Sequence, residues 1–175
     1  MTLQKRNIWA IVSTLVVLFI AFAIFQTYKK ENTNEVVTPT PTASTQIEYK
    51  NTTYGFAFML PKSWKGYTVI DDAWTGTNLN VEPVQTVSGP KISIRHPLWI
   101  AETPRQDIPI LVFTPAQWDL IVSEKMGIGA APIGPSELGR NASYVFALPA
   151  RYNFAFPLGF EEVETILKSK PLKGF

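Results

Sequence analysis

The chain has 175 residues, no cysteine, one histidine and a formal charge of +2. Without cysteine it has no disulfide frame, no thiol nucleophile and no thiolate zinc or iron–sulfur site, so any folded part rests on a hydrophobic core. From Gln46 onward twelve Lys and Arg face twelve Asp and Glu, which removes the basic field that displaces counterions from nucleic acid; no nucleic-acid partner is expected.

Residues 1–7 are a short leader with Lys5 and Arg6. Ile8 to Phe25 is apolar except for Ser13 and Thr14. As a helix this run of roughly 18 residues spans about 27 Å, near the thickness of a bilayer's hydrocarbon core. In lipid every backbone amide must be bonded internally, so an inserted segment is helical. A transmembrane signal anchor is therefore predicted at 8–25, with the lipid bilayer as its partner through Ile8–Phe25.

Lys29 and Lys30 nearly balance the charge of the leader, so the positive-inside bias is weak. Orientation rests on two other features. The basic leader resembles the first region of a secretory signal. Residues 26–45 are rich in Thr and Pro, cannot build a core and suit an exposed linker. Both place the following domain outside the cytoplasm, on a single-pass cell-membrane protein. Ala21-Phe22-Ala23 has the small-x-small form that signal peptidase accepts, so secretion after cleavage near Ala23 is the alternative.

Residues 46–175 are long enough for one core and one domain. Ile47–Asn51 predicts a strand, and Thr52 to Gly55 a turn. Phe56–Leu60 predicts a second strand with Phe56, Phe58 and Leu60 on a buried face. Tyr67–Ile70 predicts a third, and Asp71-Asp72 a solvated turn. Val84–Val87 and Ile92–Ile94 flank Ser88-Gly89-Pro90, whose composition predicts a hairpin turn. Ile108–Phe113 is nearly all apolar, as in a central strand buried on both faces.

Thr114-Pro115-Ala116-Gln117 then gives the strongest helix start in the chain. It has an N-cap hydroxyl, proline at the first helical position and a capping-box glutamine. The helix is predicted to run to about Lys125 with Trp118, Ile121 and Val122 on its apolar face. Gly127–Arg140 lacks periodicity and predicts a long loop, where Ser136 caps a short helical turn through Glu137 and Leu138. Tyr144–Leu148 predicts a strand. Gly159–Ser169 predicts a last helix with Phe160, Val163, Ile166 and Leu167 as its buried stripe, stopped by Pro171. Strands outnumber helices and pair as hairpins, so the expected class is α+β, a mainly antiparallel β-sheet with packed helices.

Tyr54-Gly55-Phe56-x-Phe58-x-Leu60-Pro61-x-x-Trp64 resembles the opening hairpin of PsbP-like domains. Glu161 to Ser169 is similar to the last helix of that superfamily. The resemblance implies an α/β/α sandwich around an antiparallel sheet, used for docking to proteins more than for catalysis. Ile92–Trp99, Ala131–Asn141 and Ala147–Asn153 resemble an uncharacterised group of small membrane-anchored bacterial proteins, which brings no activity with it.

His96 is the candidate general base, with a pKa near neutrality. A base needs a nucleophile and an orienting partner. Ser136 is the candidate nucleophile, in Gly134-Pro135-Ser136-Glu137. No spacing of histidines or carboxylates suits a metal, and no cofactor is expected. Arg151 beside Tyr152 joins a guanidinium able to grip a carboxylate to an aromatic ring. With Trp99 and with Arg140 at the end of the long loop, they form the candidate ligand-binding set. The sequence thus predicts a membrane-tethered extracytoplasmic binding or assembly domain for an unidentified protein or envelope component. Two alternatives stand beside it: a cell-envelope hydrolase using His96, and a sugar- or peptidoglycan-binding module.

Overall fold

A computed structural model describes residues 46–130 and 132–175. The leader, anchor, cleavage site and linker expected within 1–45 lie outside the described residues. Among the described residues no helix is long and apolar enough to cross a membrane.

The opening hairpin forms as predicted. Strands β1 (Gln46–Asn51) and β2 (Phe56–Pro61) pair antiparallel. Gly55, at φ +70°, makes the turn that other residues adopt with strain. Phe56, Phe58 and Leu60 are fully buried on one face, the period-two pattern of a strand with one face inward. A 3-10 turn, Lys62–Trp64, leads to β3 (Thr68–Asn78).

The hairpin expected at Ser88-Gly89-Pro90 is not there. Residues Gln85–Arg95 form one strand, β4, paired with β3 in register from Thr68↔Arg95 to Asn78↔Gln85. Asp71-Asp72 correspondingly lies inside β3 and not in a turn. The reason is tertiary. Gly89 sits under the Trp74 indole, where any side chain would strike the ring. Pro90 lies beyond β5, which pairs with β4 only at Lys91–Ile94, so its missing N–H breaks no bond to that neighbour.

β5 (Ile108–Phe113) is a central strand, as expected. Helix α1 (Pro115–Val122) starts on the predicted capping box: Thr114 Oγ1 accepts from the Gln117 N–H, and Gln117 Oε1 accepts from the Thr114 N–H. It stops before Lys125, and Val122 faces solvent and not the core. Half of the predicted Gly127–Arg140 loop is strand. It contains most of β6 (Met126–Ile128), which pairs with β3, and all of β7 (Ser136–Arg140), which pairs with β8 (Val145–Leu148). Ser136 therefore opens a strand and caps no helix. A register shift between Glu137 and Gly139 breaks the alternation that would have marked β7. Helix α2 (Phe160–Lys168) buries Val163 and Ile166, and β9 (Leu172–Gly174) adds to β2 beyond Pro171.

The result is α+β: a six-stranded sheet in the order β6-β3-β4-β5-β8-β7 and a three-stranded sheet in the order β1-β2-β9, with every named strand pair antiparallel. β5 separates two cores by alternation. Ile108, Ile110 and Val112 join Phe56, Phe58, Trp64 and α2's Val163. Leu111 and Phe113 join Trp74, Val145 and α1's Trp118 and Ile121. The helices thus lie on opposite faces of the large sheet.

Candidate functional site

Helix α1 has eight residues, about 12 Å of cover at 1.5 Å each, too short to roof the sheet face that it packs on. The uncovered part is a depression of about 630 Å³. Its floor is Trp74 from β3, Lys91 from β4 and Pro109 and Leu111 from β5. One wall is Ile128 to Ala130 at the end of β6, and the other is Pro149 to Tyr152 with Phe154 after β8. The alternation that buries Ile92 and Ile94 in the opposite core turns Lys91 to this side.

The site is polar at two points and apolar between. The Lys91 ammonium lies 2.6 Å from Asp72 across the β3–β4 pair and holds that carboxyl below its usual range. Arg151 is exposed at φ +55°. Among the described residues its guanidinium has no ion-pair partner. Burial raises the Tyr152 phenol above its ordinary value, helped by the Glu164 charge. Gln106, itself buried, fixes this wall: its Nε2 donates to the Tyr152 carbonyl at 3.1 Å. The Trp74 indole is pinned by its Nε1–H, which donates to the Val112 carbonyl at 2.9 Å. A planar cation, an ammonium and a fixed apolar floor can hold an anionic group that carries an apolar part.

The structure brings Arg151 and Tyr152 together and separates the other candidates. Trp99 packs against Arg95, whose Cζ lies 3.8 Å from the ring centroid, and Arg95 is also bidentate to Asp107. Arg140 is on β7, held by both carboxylate oxygens of Glu137. Ser136 starts the same strand, three strand spacings from β4, about 14 Å.

His96 is 4% exposed. Its Nδ1 accepts from the Leu98 N–H at 3.1 Å, which leaves the proton of the neutral ring on Nε2. Nε2 lies 4.0 Å from Glu162, which also accepts from Ser63 Oγ at 2.7 Å and lies 3.8 Å from Arg105. The Trp64 ring packs edge-on at 5.0 Å. Burial lowers the His96 pKa, Arg105 lowers it further, and Glu162 opposes both. Leu98 thus occupies one ring nitrogen, Glu162 lies 4.0 Å from the other and Trp64 packs against the ring. A sugar-binding platform would need exposed rings side by side; Trp64 and Trp74 are buried, whereas Phe154 and Phe156 are exposed.

Sequence reasoning missed Lys91. The turn composition of Ser88-Gly89-Pro90 hid the continuity of β4; alternation counted back from Ile92 and Ile94 would have placed Lys91 on the opposite face. Among the described residues no group of three or more His, Asp or Glu is placed to hold a metal ion. No protein-family model matches the chain, and neither a curated protein nor a solved structure matches it.

Proposed function

We propose that this chain is a membrane-tethered, extracytoplasmic binding domain that docks an anionic protein segment or envelope component and performs no chemistry of its own. The observation that carries this reading is the uncovered part of the large sheet, where the Arg151 guanidinium, without an ion-pair partner among the described residues, and the Asp72-paired Lys91 ammonium flank an apolar floor. The apolar run at 8–25 and the Thr/Pro tract at 26–45 support the tether. The burial of His96 and its separation from Ser136 favour binding over hydrolysis. A PsbP-like assignment belongs to the same proposal. Its support is the Tyr54–Trp64 hairpin and the placement of α1 and α2 on opposite sheet faces.

Two measurements test it. The chain has no cysteine, so Glu102→Cys gives a single thiol for a membrane-impermeant maleimide. Labelling in intact cells is expected; labelling only after lysis would refute the topology. A photo-crosslinking residue at Thr75, on the rim of the depression, should give a discrete adduct that Arg151→Ala with Lys91→Ala abolishes. The same residue at Lys173, on β9, should give none. Equal adducts from both positions would remove the site.

A further inference from the structure

Two loops leave the same end of the large sheet. One joins β4 to β5 and carries Leu98 and Ile100; the other joins β8 to α2 and carries Phe154, Phe156 and Leu158. The pairings Thr68↔Arg95, Ile94↔Ile108 and Leu111↔Ala147 bring the start of β3, the end of β4, the start of β5 and the end of β8 to that end. The loops are stitched together. The Gln106 N–H donates to the Leu158 carbonyl at 2.9 Å, Arg105 and Leu158 form a parallel bridge, and Gln106 Nε2 reaches the Tyr152 carbonyl.

All five apolar side chains face solvent: Phe154 is 76% exposed, Leu98 and Phe156 67%, Leu158 58% and Ile100 52%. Scattered single apolar residues are ordinary at a surface; a cluster on adjoining loop tips is not. The backbone reinforces the point. Arg151, Ala155 and Phe156 are non-glycine residues at φ +55°, +70° and +48°, a conformation that costs free energy unless the surroundings impose it. These angles bend the loop that carries the exposed Phe154 and Phe156.

The linker meets the described domain at this same end. Gln46 pairs with Pro61, immediately before the Lys62–Trp64 turn. Ser63 of that turn bonds Glu162 of α2, Trp64 packs on His96, and a Cβ at Gly66 would touch Pro97. Lys62 and Lys65, in and just after that turn, and Arg151, at the start of the second loop, are exposed.

We infer that this end of the domain docks on the lipid surface, with Phe154, Phe156, Leu158, Leu98 and Ile100 entering the interfacial region and Lys62, Lys65 and Arg151 meeting headgroup phosphates. The inference rests on the tethered reading above. A tether 20 residues long, the length of 26–45, has a reach of about 25–60 Å. A domain of this size has a radius of gyration of about 14 Å. The tether therefore keeps the domain within a few radii of the bilayer, where a weak interfacial contact becomes effective. Phe154 and Arg151 also line the depression, so the lipid-facing end and the partner-binding face adjoin.

The test uses the full chain with a site-specific protease sequence inserted between Thr40 and Pro41, reconstituted in vesicles of phosphatidylethanolamine and phosphatidylglycerol. After cutting, the released wild-type domain should float with the vesicles and rebind fresh ones. Phe154→Ser with Phe156→Ser and Leu158→Ser should lower that partition at least about tenfold. Leu79→Ser with Val84→Ser, exposed apolar residues at the opposite end of β3 and β4, should leave it unchanged. A wild-type domain that leaves the vesicles as fully as the triple variant overturns the inference. So does a released domain that dimerises in lipid-free buffer through the same tips and ignores vesicles. Failure of the uncut chain to float would instead sink the tether, while rebinding of the cut domain still decides the docking end.

Discussion

Asn141 ties the two sheets together, and its removal has a calculable cost. Its Nδ2 donates to the Tyr54 and Gly55 carbonyls, both at 2.8 Å, across 87 and 86 residues of sequence. Its Oδ1 accepts from the Ser143 N–H at 2.9 Å and the Tyr144 N–H at 2.8 Å. Asn141→Ala deletes these four bonds and a longer fifth, from Nδ2 to the Phe175 carbonyl at 3.4 Å, but they are unequal. Gly55's carbonyl keeps the Phe175 N–H at 2.9 Å, and the exposed Ser143 amide is free to hydrate. The Tyr54 carbonyl and Tyr144 amide are half-buried and lose their side-chain partner. At about 1–1.5 kcal/mol for each stranded group, the loss is about 2–3 kcal/mol.

For a folded part of about 130 residues that lowers Tm by about 7–11 °C. Circular dichroism melts and urea titrations of the full chain measure it; the urea midpoint should fall at unchanged slope. Asn141→Asp keeps the acceptor bonds but sets a carboxylate against two carbonyls, so it should be no more stable than Asn141→Ala. Ser143→Ala, which keeps the amide, should stay within about 0.5 kcal/mol of wild type. A cost below about 0.5 kcal/mol for Asn141→Ala, or full stability for Asn141→Asp, would refute this account of the turn.

Other expectations follow from single contacts. Gly89→Ala places a methyl group in the Trp74 indole and should cost about 1–3 kcal/mol by overpacking, whereas Gly127→Ala meets open space and should fall within about 0.5 kcal/mol; equal urea midpoints for the two variants would contradict the packing. Thr114→Ala, which breaks the capping box of α1, should cost about 1 kcal/mol, read from the same titration. His96 gives a pH dependence. Burial and Arg105, against Glu162, hold its native pKa below the unfolded value, which is about 6.5. As pH falls the unfolded chain binds the extra proton first. The stabilisation is therefore complete above about pH 6.5 and lost as pH falls through the lower native value. Urea midpoints across this range should drop in wild type and drop less in His96→Gln; a midpoint that rises on acidification would reverse the assignment.

The sequence by itself determined the elements whose signals are local. Phe56, Phe58 and Leu60 alternate around a glycine turn, Thr114-Pro115-Ala116-Gln117 closes its own cap, and Val163 and Ile166 fall on one helical stripe. Each depends on residues within a few positions of one another, so composition and period sufficed. It also supplied Arg151 and Tyr152, neighbours in the chain and on the same wall of the depression.

Only the tertiary structure decided what depends on a distant partner. Ser88-Gly89-Pro90 has the composition of a turn, yet Trp74 across the ribbon makes Gly89 a strand residue, and the short reach of β5 makes Pro90 harmless. Ser136 through Arg140 has no period of its own because a bulge interrupts it, and it becomes a strand by pairing with β8. Trp99 and Arg140 looked available as single residues, but Arg95 and Glu137 occupy them. Lys91 became part of the site because β3 and β5 turned its face toward the gap that α1 leaves open. Local propensity fixes what a segment can be; pairing and burial, contributed by residues far along the chain, fix which face it shows and to what.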